Sequence, residues 1–153
     1  MKTELAVEFE QRFPQAAAEL GPDNLARLLE ACVLVTLPPR RKLFRDRMPA
    51  DSLYLVLEGE MTASVEDGRK TLEVGKIKPG DWLGEVAVLS GERVASSTIT
   101  TDTPCRALKI HSQDFERLVI QDEDIAHVLL GQLVEMLAER LRESAESAAK
   151  LNY

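Results

Sequence analysis

Leu5, Phe9 and Phe13 recur at i, i+4 and i+8, the spacing that gathers apolar side chains on one face of a helix. A helix is therefore expected over residues 3–13, and Pro14 ends or bends it because proline has no N–H to continue the ladder. A second helix should follow Gly21-Pro22-Asp23, with proline at an early position and Asp23 or Asn24 available as a cap. Leu25, Leu28, Leu29 and Cys32 then share a face, and both stripes read as core contact. From Val33 to Ile110 the pattern changes to short apolar stretches punctuated by Pro38-Pro39, Gly59, Asp67-Gly68, Gly75, Pro79-Gly80, Gly91 and Asp102-Thr-Pro104. Met61, Ala63 and Val65 alternate with Thr62, Ser64 and Glu66 ahead of Asp67-Gly68, which marks a hairpin. Short strands at this spacing imply an antiparallel barrel, β-roll or jelly roll. Helical periodicity returns at His111-Ser112, with Ser112 as the expected N-cap, and a last long helix runs from about Ile125 to Leu151. In it Val134, Leu137, Leu141, Ser144, Ala148 and Leu151 alternate by three and four, a heptad seam that either pairs with a second copy or caps its own domain.

One stretch breaks the strand pattern. Between the turns at Pro79-Gly80 and Gly91 stands Gly84-Glu85 followed by the apolar run Val86 to Leu89, too short for an independent strand and suited to one helical turn. The start of a helix leaves backbone N–H groups without partners and carries partial positive charge, so it suits an anion, above all a phosphate. Arg93, Ser96, Ser97 and Thr98 offer a guanidinium and hydroxyls to complete such a site. Glu85 is out of place beside a phosphate unless it reads something else, such as a sugar hydroxyl.

Gly80-Asp-Trp-Leu-Gly-Glu-Val-Ala-Val-Leu89 resembles the phosphate-binding cassette of cyclic nucleotide-binding domains, the family of catabolite activator protein and protein kinase A regulatory subunits. The resemblance extends upstream through Pro49-Ala-Asp-Ser-Leu-Tyr-Leu-Val-Leu-Glu-Gly-Glu60 and downstream through Asp102-Thr-Pro-Cys-Arg-Ala-Leu-Lys-Ile110, covering roughly residues 22–120. It implies that Glu85 binds a ribose 2′-hydroxyl, that backbone N–H groups at Gly84, Val86 and Ala87 hold a cyclic phosphate, and that one arginine neutralises it. It also implies two-fold dimers through the last helix.

The departures from the family are specific. Its usual Pro-Arg-x-Ala-Thr-Val pattern, aligned on Thr98, puts the arginine at Ala95, whereas Arg93 is the only Arg or Lys between Lys78 and Arg106. Either one extra loop residue lets Arg93 serve, or the site has lost its phosphate partner. Arg40-Arg41-Lys42 and Asp46-Arg47-Met48 stand where relatives have glycine-containing turns, which must be rebuilt if those glycines adopt positive φ. Arg40, Arg41, Lys42 and Arg45 form the one positive cluster, either a solvated turn or a docking patch.

Composition narrows the function further. A chain of 153 residues with 44% apolar and 29% charged residues is one ordinary globular domain by expectation. Its divisions would be N-terminal helices over 1–32, a β-roll over 33–111 with the cassette at 80–99, and C-terminal helices over 112–153. Net charge −7 argues against a protein that grips nucleic acid, whose affinity comes mostly from Lys and Arg. Cys32 and Cys105 read as buried free thiols, fitting a reducing cytoplasm, and no run is long enough to span a membrane. With only His111 and His127 there is no metal site of the cupin kind, and no Gly-x-Ser-x-Gly elbow occurs. No cofactor or catalytic residue is expected, nor is a helix-turn-helix DNA reader after Leu151.

The reading is a non-enzymatic regulatory module that binds cAMP or cGMP at Gly84, Glu85, Val86, Ala87, Arg93, Ser96, Ser97 and Thr98. It would relay occupancy through the last helix, as a homodimer through residues 125–151. The alternative is the same fold without nucleotide binding, acting as a dimerising or protein-interaction module.

Overall fold

A computed structural model describes residues 2–90 and 93–151. The chain opens with α1 (Lys2–Arg12) and α2 (Pro14–Glu30). Pro14 starts a helix here as well as ending one, because the first helical position needs no N–H donor. Residues 14–20, for which the apolar pattern predicts no element, are helical, and Ala16, Ala17 and Leu20 bury beside Phe9 and Phe13. The break falls at Gly21, with φ 77 and ψ 167, just ahead of Pro22. Asn24 does not act as an accepting cap; its Nδ2 donates to the Leu20 carbonyl across that kink at 3.0 Å.

Eight strands follow: β1 (Val33–Leu37), β2 (Lys42–Phe44), β3 (Ser52–Glu58), β4 (Met61–Asp67), β5 (Lys70–Ile77), β6 (Trp82–Leu83), β7 (Thr98–Thr101) and β8 (Cys105–His111). They form two antiparallel four-stranded sheets, ordered β1-β8-β3-β6 and β2-β7-β4-β5, which is the expected β-roll with flanking helices. Asp67 pairs with Lys70 across a two-residue turn, and Gly68 takes the positive φ that turn requires.

The continuous apolar run of β3 is explained by burial on both faces. Side chains alternate along a strand, so Leu53, Leu55 and Leu57 meet the helices while Tyr54 and Val56 meet the second sheet. β8 does the same with Leu108 and Ile110 against Cys105 and Ala107.

α3 (Glu85–Ser90) is the short helix expected between β6 and β7. α4 (Ser112–Gln121) and α5 (Glu123–Leu151) close the chain. The cap of α4 is His111 rather than Ser112: Nδ1 accepts from the Gln113 N–H at 3.1 Å. Ser112 is already inside the helix, its N–H bonded to the Asp51 carbonyl at 2.8 Å and its hydroxyl buried without a partner among the described residues. The first half of α5 buries Ile125, Leu129 and Leu133, whereas Val134 and Leu141 of the seam are 65% and 71% exposed. Leu137 is half-buried, and the side chains of Ser144, Ala148 and Leu151, the last three seam positions, lie outside the described residues, as does Gly91.

Arg40 and Arg47 take positive φ, 62° and 64°. Each arginine side chain carries the steric cost of that conformation.

Candidate functional site

The stretch from β6 into α3 lies against β3, and glycine makes that approach feasible. Gly84 has φ 86, and a Cβ there would collide with the Ser52 carbonyl oxygen and stand 3.2 Å from Phe44 Cζ. Above this contact is a cavity of about 870 Å³. Gly84, Glu85, Val86 and Ala87 line one side, Ser96 and Ser97 another, and Phe44, Ala50, Ile77 and Leu83 give it an apolar floor. Its rim includes Val74, the extra residue of a bulge in β5: Ala63 pairs with Gly75 and Ser64 with Glu73, so Val74 has no opposite.

Glu85 is 5% exposed, and a buried carboxylate needs a partner. It has one from α5. Arg140 Nη1 donates to Glu85 Oε1 at 2.5 Å and Nη2 donates to the Trp82 carbonyl at 3.2 Å. Glu143, one turn further along α5, also lines the cavity. Neither residue was expected at the site. The signal was present in the register: Leu129, Leu133, Met136 and Arg140 follow one stripe at spacings of four, three and four, so Arg140 puts a charge where the helix buries its apolar face.

Two expected site residues are placed elsewhere. Arg93 does not line the cavity; its side chain is 51% exposed and its guanidinium lies 3.8 Å from Glu116 on α4. The backbone turns it away. Its N–H bonds the Ala87 carbonyl at 3.2 Å, its own carbonyl accepts from Ala50 at 2.8 Å, and φ is 56°. The register position Ala95 is buried and lines the cavity as a methyl group. Thr98 is used structurally, its Oγ1 accepting from the Asp46 N–H at 2.9 Å. It faces a smaller hollow of about 280 Å³ with Lys42, Arg45 and Arg47.

The remaining reactive groups are quiet. Both cysteines are free thiols. Burial, with Asp114 adding to it, pushes the Cys32 thiol up to about 12, and burial raises Cys105 as well. Among the described residues no group of three or more His, Cys, Asp or Glu side chains is placed to hold a metal ion. No described helix is long and apolar enough to cross a membrane.

Residues 34–122 match the family model described as cyclic nucleotide-binding domain. A cyclic nucleotide-gated potassium channel of Mesorhizobium japonicum is 31% identical over 110 residues, spanning 72% of this chain and 29% of the channel. The cAMP-activated global transcriptional regulator of Salmonella typhimurium is 23% identical over 131 residues, 85% of this chain and 60% of that protein. This chain therefore spans less than two thirds of either relative. A solved cyclic nucleotide-binding domain from Methylobacillus flagellatus is similar in fold, with TM-score 0.81 at 19% identity, covering 92% of this chain and 82% of that one.

Proposed function

This chain belongs to the cyclic nucleotide-binding domain family, and from that premise we propose that it is a non-enzymatic regulatory module whose ligand is cAMP or cGMP. Glu85 would take the ribose 2′-hydroxyl, the backbone around Gly84, Val86 and Ala87 the cyclic phosphate, and Ser96 and Ser97 would add hydroxyls. The observation that carries the reading is the contact between cavity and relay: Glu85, in the cavity wall, is held by Arg140 of α5. A ligand that engages Glu85 acts on a group that also positions the helix. Occupancy then shifts the balance between two placements of α5, provided the ligand favours one of them. The exposed Val134 and Leu141 suit pairing of α5 with a second copy, which makes the module a homodimer in this reading. The acidic balance of the chain and its free thiols fit a cytoplasmic signalling protein that does not act by gripping nucleic acid.

The position of Arg93 favours a second reading, a domain of the same fold that no longer binds nucleotides and serves as a dimerising or protein-docking unit. Titration calorimetry with cAMP and cGMP separates the two. Micromolar binding that disappears in Glu85→Ala is the expected result, and absence of heat with both nucleotides sinks the first reading in favour of the second.

A further inference from the structure

A cavity for a phosphate needs a cation, and the cassette does not supply one. The charged side chains around it are Glu73, Glu85 and Glu143 against Lys76 and Arg140. Lys76 is on the wrong face of its strand. Gly75 and Ile77 pair with Ala63 and Met61 on the inner face, so Lys76, opposite Thr62, projects outward. Its ammonium donates to Thr62 Oγ1 at 2.8 Å and lies 3.3 Å from Glu73 and 3.8 Å from Asp102. Arg93 is turned toward Glu116. Among the described residues, the cation left for the cavity is Arg140.

We propose that Arg140, on α5, is the counter-charge for the anionic group of the ligand, the part that Arg93 does not play. The proposal rests on the reading of the cavity as a cyclic nucleotide site. A guanidinium carries five N–H donors in a planar fork. One goes to Glu85 and one to the Trp82 carbonyl, which leaves three to spare. The two existing bonds hold the fork at the cavity wall, so the remaining donors are already ordered when an anion arrives and less rotamer entropy is lost. Glu85 thereby positions the cation as well as offering its carboxylate to a sugar. An anion held this way ties the sandwich directly to α5, and a neutral ligand of the same shape gains no charge pairing from Arg140.

The test is calorimetry on the full chain with cAMP and with adenosine, which keeps the base and a ribose and lacks the charge. Wild type, Arg140→Gln, Arg140→Lys and Arg93→Gln are compared, each checked for folding by circular dichroism. Arg140→Gln is expected to weaken cAMP roughly 10- to 100-fold, the cost of one hydrogen-bonded charge, and to weaken adenosine by a clearly smaller factor that reflects only the loosened Glu85. Arg140→Lys restores part of the loss, and Arg93→Gln stays within about twofold of wild type. The dependence of cAMP affinity on salt should flatten in Arg140→Gln and not in Arg93→Gln, a readout that a merely structural role would not move. Loss in Arg93→Gln with Arg140→Gln unaffected overturns the proposal, as does equal weakening of cAMP and adenosine or an unchanged salt dependence in Arg140→Gln. A wild type that binds neither cAMP nor cGMP overturns the nucleotide reading itself. A wild type that binds normally while Arg140→Gln does too overturns only the assignment of the cation.

Discussion

On the sandwich side of the cavity Gly84 rests against the Ser52 carbonyl with no space for a methyl group between them, while on the helix side Arg140 reaches in from a half-helix whose Val134 and Leu141 face solvent. The first wall is fixed by close packing of backbone on backbone. The second is held by hydrogen bonds from one arginine that is itself 41% exposed. Packed contacts of the first kind have no alternative arrangement nearby, whereas the hydrogen bonds of a half-exposed guanidinium can be redistributed to a ligand that satisfies the same groups. Substitutions on the sandwich wall should therefore appear as stability, and those on the far half of α5 as response to partners.

The largest effect should divide α5 itself. Leu133→Ala removes a buried side chain and is expected to cost roughly 2–5 kcal/mol in urea unfolding, whereas Leu141→Ala should leave unfolding of the monomer nearly unchanged and weaken self-association in sedimentation. Equal costs at the two positions would erase the distinction between the halves. Next, Gly84→Ala should destabilise by about 2–4 kcal/mol, since it combines a backbone clash with an unfavourable φ. Gly75→Ala, where a Cβ meets nothing within 4 Å, should stay within about 0.5 kcal/mol. If Gly84→Ala were tolerated equally well, the sandwich wall would not be rigid. The smallest effect sharpens the comparison from the opposite direction. Arg47 has φ 64 and donates its N–H to the carbonyl of Ala95, so strain is stored on the packed side. Arg47→Gly should raise stability by about 1 kcal/mol while leaving any ligand affinity unaltered.

The β-roll was legible in the sequence because its signals are local. Asp67-Gly68 marks a hairpin, and the short apolar run held between Gly84 and Gly91 suits a helical turn better than a strand of its own. The run of β3 is apolar on both faces and carries no alternation to read, so it and β8 were reached through the family resemblance instead. What was not legible depends on where distant segments meet. Ser112 looks like a cap by residue type, yet β8 continues to His111, which sets the helix one residue earlier. Arg93 is the obvious cation by register, but the carbonyl of Ala87 and the N–H of Ala50 fix its backbone with the side chain pointed at α4. Arg140 is separated from Glu85 by 55 residues, and only the docking of α5 brings them together. Fold thus came from short-range pattern, while the charge of the site came from tertiary approach.

Val74, which has no opposite residue in the β4–β5 ladder, sets the doorway of the cavity without belonging to the core. A chain one residue shorter at that point would keep Met61 opposite Ile77 and every neighbouring side chain on its present face, yet its ribbon would straighten and the aperture would change. Entrance and interior are in this way independently adjustable, so the size of what is admitted can vary without any change in what keeps the barrel closed.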